Sequence, residues 1–195
     1  TDYRADRPEV GMWAQDWTLP EPTADTYGDD MMNNAKEFSD TAMVVITRVG
    51  GEGADLPTDV SQVTYTDNSD EYNDFEPGEH YLQLSQTERN MLDLVCENFD
   101  NVVVVYNGAN AMELGFLNEY EQIKGALWCP GTGQSGFNAL GSILSGEVNP
   151  SAKTSDTFVA DLTATPTANN FGAMYYDNMD EFNVVSVGAT GEEET

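Results

Sequence analysis

Two uninterrupted apolar runs constrain the fold of this chain most. Residues 42–46 read Ala-Met-Val-Val-Ile, and residues 102–106 read Val-Val-Val-Val-Tyr. β-branched runs of this kind, without polar alternation, fit strands covered on both faces, the habit of parallel α/β sheets. Each run ends in turn chemistry. The first passes through Thr47-Arg48-Val49 into Gly50, Gly51 and Gly53, which surround Glu52. The second ends in Asn107-Gly108. Glycines there let the backbone turn sharply and approach a ligand closely. In open α/β sheets ligands bind outside the carboxyl ends of strands, so Glu52 stands where chemistry is expected. A turn carrying a solvated Glu52 is the ordinary alternative for so short a motif.

The intervening segments carry helix signals. Residues 29–38 place Met31, Met32, Ala35 and Phe38 at helical spacing, with Asp29 and Asp30 at the amino end. Ser85-Gln86-Thr87-Glu88 is a capping box that opens a helix running to about residue 98. Met91, Leu92, Val95, Cys96 and Phe99 form its apolar stripe. A short helix is expected over 111–117, a third strand over 126–128 and a helix over 134–145 with Gly146 as its C-cap. One more short strand is expected over 157–159. This alternation predicts a mostly parallel sheet sandwiched by helices. Residues 1–28 read as an irregular lead-in, 29–168 as the α/β domain with an acidic loop inserted over 55–80, and 169–195 as a polar, mobile tail.

Charge narrows the classes of partner. Asp and Glu number 35 against 7 Lys and Arg, for a net charge of −28. Nucleic acid and anionic membrane surfaces need basic patches, so both are disfavoured. No apolar run approaches the ~20 residues of a membrane span. The chain opens on Thr1 rather than Met, which points to processing or to a piece of a longer protein. The acidity leans towards an extracellular or surface setting, but the location stays open. Cys96 and Cys129 are too few for a disulfide framework and are expected as free buried thiols. The acidic loop holds Asp59, Asp67, Asp70, Glu71, Asp74, Glu76 and Glu79. It lacks the glycine an EF-hand requires, so no metal ligands are assigned and cation binding there stays open. His80, the sole histidine, is expected to be structural, and no cofactor motif is found.

Four segments together carry a resemblance. They are Arg48-Val49-Gly50-Gly51-Glu52-Gly53-Ala54-Asp55, Val102-Val103-Val104-Val105, Trp128-Cys129-Pro130-Gly131 and Gly146-Glu147-Val148-Asn149-Pro150-Ser151. In this order and spacing, residues 35–158 resemble the second domain of glycoside hydrolase family 3, the β-glucosidase family. The resemblance implies an α/β sandwich that partners a TIM-like barrel. The barrel carries the aspartate nucleophile, and the Gly-Glu-Gly loop supplies the general acid/base, a role that maps onto Glu52. Asp55 maps onto a loop-holding aspartate. Leu56 stands where the family often has arginine, and Ser151-Ala152-Lys153 replaces the usual Ser-Gly-Arg. No barrel fits in 195 residues, so the nucleophile must lie elsewhere. The first strand-helix unit that should open the sandwich is expected to be missing or replaced by the lead-in around Trp13 and Trp17, so that an incomplete domain is expected. Partners are then a carbohydrate substrate and either the remaining domains of a parent enzyme or copies of this chain. Two other readings remain: a non-catalytic, self-assembling structural subunit, and a carbohydrate-binding module that uses Trp13, Trp17, Tyr65, Tyr72 and Tyr81.

Overall fold

The computed structural model describes residues 21–50, 56–60, 75–166, 186–187 and 193–194. A 3-10 turn, Ala24–Thr26, precedes helix α1, Asp29–Phe38, and strand β1, Thr41–Thr47. Helix α2, Gln86–Asn98, leads to β2, Asn101–Asn107. A 3-10 turn, Gly115–Asn118, leads to β3, Ile123–Trp128, and then helix α3, Asn138–Leu144. Two residue pairs, β4 (Ser186–Val187) and β5 (Glu193–Glu194), form a separate antiparallel ladder.

The sheet order is β1-β2-β3, and both pairings are parallel, as the apolar runs predict. Val44 faces Val104 and Ile46 faces Tyr106 across the β1–β2 ladder. These four side chains share one face and are all buried. Helix α2 covers that face with Met91, Leu92 and Cys96. Met112 and Phe116, from the β2–β3 connection, complete the core. On the other face, edge strand β1 leaves Met43 and Val45 about half exposed, at 49% and 44%.

The capping box forms as read. Ser85 Oγ accepts from the Glu88 amide, and Glu88 Oε2 accepts from the Ser85 amide at 3.0 Å. Two of the N–H groups that a helix start leaves unpaired are thereby satisfied.

Several expectations need correction. Strand β3 begins at Ile123 rather than 126, because Lys124 and Gly125 break the apolar run while the backbone still pairs with β2. The segment expected as a helix over 111–117 is irregular through Leu114. Its Glu113 and Leu114 amides donate to Leu82 O and Val159 O, which leaves them unable to close helical turns. Only Gly115–Asn118 turns, as a 3-10 element. Residues 157–159 form no strand; Val159 O receives that single bond. Helix α3 starts at Asn138, later than expected, after a run of turns. Gly146 follows its end with φ +79°, a left-handed conformation suited to glycine, and donates to Ile143 O. Cys96 is buried as expected, but Cys129 is only partly so. The tail read over 169–195 lies outside the described residues except for the paired β4 and β5.

Candidate active site: the frame of the Gly-Glu-Gly loop

Strand β1 ends at Thr47, and the next residue is the best-connected side chain of the described structure. Arg48 is 5% exposed. Its Nε donates to Tyr81 O at 2.6 Å. Nη1 donates to Thr47 O and to Glu88 Oε1, both at 2.7 Å. Nη2 donates to Gln83 O at 2.5 Å and to Glu88 Oε2 at 2.7 Å. All five N–H groups of the guanidinium are therefore used, and the Glu88 contact is bidentate. Burial alone would lower the Arg48 pKa. The charge and hydrogen bonds of Glu88 outweigh it, and the pKa is raised. The guanidinium also lies over the Tyr81 ring, 5.4 Å from its centroid.

Glu88 thus has two tasks. It closes the capping box of α2 and neutralises Arg48. A buried charge is tolerated only when paired and hydrogen-bonded, and this pair satisfies both conditions. The α2 amino end and the β1 carboxyl end are locked together in consequence.

The same cluster holds the chain on both sides of the Gly-Glu-Gly segment. On the leading side, the Arg48 amide donates to Asn107 O at 3.2 Å, and the Val49 amide donates to Tyr81 Oη at 3.1 Å. On the returning side, the Tyr81 amide donates to Pro57 O at 3.1 Å, and the Val60 amide donates to Glu79 O at 2.9 Å. The two sides meet. A Cβ added to Gly50 would lie 3.0 Å from Leu56 Cδ2 and 2.8 Å from Asn110 Oδ1. A side chain there would press on the tips of the Asn110 and Leu56 side chains, which would have to shift to admit it. Gly50 and Leu56, the described residues on either side of 51–55, therefore lie together near the carboxyl end of β1. Glu52 and Asp55, the acid/base and loop-holding positions expected from sequence, lie outside the described residues. So do Trp13, Trp17, Tyr65, Tyr72, Asp67, Asp70, Glu71 and Asp74. Among the described residues no group of three His, Cys, Asp or Glu side chains is placed to hold a metal ion.

His80 ties two segments together. The Leu82 amide donates to its Nδ1 at 3.1 Å, and its Nε2 lies 2.9 Å from Glu113 Oε1. Glu113 Oε1 also accepts from the Leu162 amide at 2.6 Å. A cleft of about 550 Å³ opens at the carboxyl ends of β2 and β3, lined by Tyr106, Trp128, Asp156 and Phe158 among others. Its aromatic wall is fixed from behind: Trp128 Nε1 donates to Gly108 O at 2.7 Å, and Tyr106 Oη donates to Asn110 O at 2.8 Å. Trp128 and Phe158 meet edge to face with centroids 5.1 Å apart. Burial pushes the Tyr106 phenol up to about 12.

Reading the sequence singled out Glu52 but not the residues that frame it. Arg48 carried a usable signal: it is one of only 7 basic residues and directly follows a buried strand. Tyr81 is legible only as a tyrosine that could line a sugar site or pin the acidic loop, and not as a partner of Val49, 32 residues away.

Comparison with known proteins agrees with this architecture. Residues 15–190 match the glycosyl hydrolase family 3 C-terminal domain. Over 152 residues, 73% of this chain, it is 32% identical to β-glucosidase A of Butyrivibrio fibrisolvens. Over 173 residues, 87% of this chain, it is 28% identical to a β-glucosidase of Ruminococcus albus. The chain spans 18% and 16% of the lengths of these two relatives. A solved β-glucosidase from Paenibacillus barengoltzii superposes with a TM-score of 0.63 at 27% identity, covering 82% of this chain and 15% of that one. The framed loop, the parallel sheet and these matches converge: the chain belongs to glycosyl hydrolase family 3 and represents its C-terminal domain.

Proposed function

We propose that this domain serves a β-glucosidase-type enzyme, hydrolysing terminal β-glycosidic bonds with retention, and that Glu52 is its general acid/base. The nucleophile is an aspartate on the barrel, so the domain works with the other domains of its enzyme. One observation carries the reading: the described residues on either side of 51–55 are held by one buried, hydrogen-bonded cluster at the carboxyl end of β1. A proton donor on a loop must be held accurately while still reaching a sugar on another domain. Flanking glycines permit the approach, and the Arg48–Glu88–Tyr81 cluster supplies the fixed base. In a retaining mechanism two carboxyl groups stand about 5–5.5 Å apart. One attacks the anomeric carbon. The other, here Glu52, protonates the departing oxygen and then takes a proton from the incoming water.

The test is Glu52→Ala in the whole glycosidase that carries this domain. We expect kcat/KM on an alkyl β-glucoside to fall by roughly 10²–10⁴-fold, the usual contribution of a positioned acid. Azide, a nucleophile that needs no base, restores turnover of an activated aryl glucoside and yields the β-glycosyl azide. Near-normal hydrolysis of the alkyl glucoside would overturn the assignment.

A further inference from the structure

We infer that the uncharged face running from the end of β3 through helix α3 is the surface on which another domain of the same glycosidase docks. The inference rests on the reading that this domain works beside others in one enzyme, and not on the role of Glu52.

The first observation is electrostatic. Asp, Glu, Lys and Arg make up 22% of this chain, yet none occurs between Lys124 and Glu147. These 22 residues form the longest uncharged stretch of the sequence, where about five charges would be expected at the chain's own average. Burial does not explain the gap, because no residue of 125–146 is buried. A free surface is normally rich in charge, whereas depletion of charge marks the centre of an interface. The carboxylate at the border, Glu147, is turned back onto α3, where its Oε2 accepts from Ser142 Oγ at 3.1 Å.

The second observation is apolar. Phe137, Leu144 and Val148 stand 45%, 42% and 50% exposed. Phe137 and Leu144 are two helical turns apart and so share one side of α3. The Val148 amide donates to Ser142 O at 3.0 Å, which folds the chain back along the end of the helix. This face keeps its shape through its own bonds. Its root is fixed to the sheet, since the Cys129 amide donates to Tyr106 O at 2.8 Å and Asn107 Nδ2 donates to Cys129 O at 2.6 Å. The turns before α3 are closed by bonds from the Gly136, Asn138 and Ala139 amides to the carbonyls of Thr132, Ser135 and Gly136. A surface ordered before it meets its partner loses less conformational freedom on docking.

Charge selects the occupant. A second copy would bring another net −28, so association of copies works against mutual repulsion. A face without charges offers no ion pairs, and the surface it buries best against is a matching uncharged, apolar one. A domain of the same polypeptide meets it at high effective concentration, so a modest apolar contact suffices. The relatives leave room for such a domain: this chain matches a C-terminal domain and spans 18% and 16% of two β-glucosidases.

The experiment compares amide hydrogen exchange over 138–144 in the present chain and in the whole glycosidase that carries this domain. We expect exchange at least about tenfold slower in the whole enzyme. Equal rates overturn the inference. Leu144→Lys then tests the face itself. Lysine is a good helix former and suits a helix C-terminus, so an exposed α3 accepts it. In the present chain the variant should change exchange over 138–144 by less than about twofold. In the whole enzyme the new charge would be buried, and exchange there should rise at least about fivefold. Phe38→Lys, at the 92% exposed end of α1, should alter neither protein. An equal effect of Phe38→Lys in the whole enzyme would mean that any added charge loosens α3, and overturns the inference. If Leu144→Lys disturbs the present chain as much as the whole enzyme, the chain's own residues cover the face and the inference fails. If light scattering shows the present chain to be a dimer that Leu144→Lys separates, a second copy is the occupant and the inference fails. None of these readouts uses catalysis, so the acid/base reading stands or falls separately, on Glu52→Ala.

Discussion

Helices α2 and α3 read alike in the sequence and behave differently in the fold. Both carry an apolar stripe at helical spacing. Helix α2 buries Glu88, Met91, Leu92 and Cys96 against the sheet, and its start is closed by a reciprocal capping box. Helix α3 buries none of its residues, and its N-cap, Phe137, makes no side-chain cap bond. Phe137 and Leu144 remain 45% and 42% exposed. An apolar stripe therefore declares a preference, and burial requires a surface opposite. Helix α2 has the sheet, reached by the crossover from β1 to β2, whereas α3 follows β3 and, among the described residues, finds no surface that buries it. The chain spans less than a fifth of its β-glucosidase relatives, so the contrast also separates what the domain stabilises by itself from what it presents outward.

The sharpest way to break this contrast is through Glu88. Glu88→Ala strands the Arg48 guanidinium in the core and removes half of the capping box. Losing one partner of a buried pair costs about 3–5 kcal/mol, measurable by urea unfolding of this chain. A cost below about 1 kcal/mol would mean that water reaches Arg48 and that the anchor is not the closed cluster described above.

Truncating one leucine on each helix tests the contrast directly. Leu92→Ala, at 0% exposure, should cost about 2–5 kcal/mol. Leu144→Ala should stay within about 0.5 kcal/mol. Repeating Leu144→Ala in the whole enzyme sharpens the point, since a larger cost there would identify α3 as a face covered by another domain.

The core also has an alkaline limit. Burial holds the Tyr106 phenol protonated up to about 12, against an ordinary value near 10. A folded-state pKa above the unfolded one gives stability that is complete below pH 10 and lost as pH rises from about 10 to 12. The loss should reach up to about 2 kcal/mol at the upper end. Tyr106→Phe should flatten this part of the pH–stability curve, and a curve of unchanged slope would contradict the buried-phenol account.

How much was legible from the sequence follows from the range of each interaction. Local signals held: the capping box at Ser85, the left-handed Gly146 and the two β-branched runs all formed as read. The third strand was half visible, because on an edge its pairing tolerates Lys124 and Gly125, which no buried run would contain. The segment 111–117 failed as a helix because its Glu113 and Leu114 amides bond to Leu82 and Val159, partners far along the chain. Glu52 could be singled out because its glycines lie beside it. The residues that frame its loop could not.

By itself the sequence determined the parallel α/β class, the starts of α1 and α2, the glycine-flanked carboxylate and the family, since each rests on neighbours within a few residues or on the order of motifs. Tertiary structure alone decided that Arg48, Glu88 and Tyr81 form one cluster, that Glu88 serves a helix cap and an ion pair together, and that α2 is buried while α3 is not. Those outcomes depend on which surfaces meet after the chain has crossed the sheet. Side-chain spacing along the chain cannot encode that, because the contacts close over separations of 32 to 40 residues.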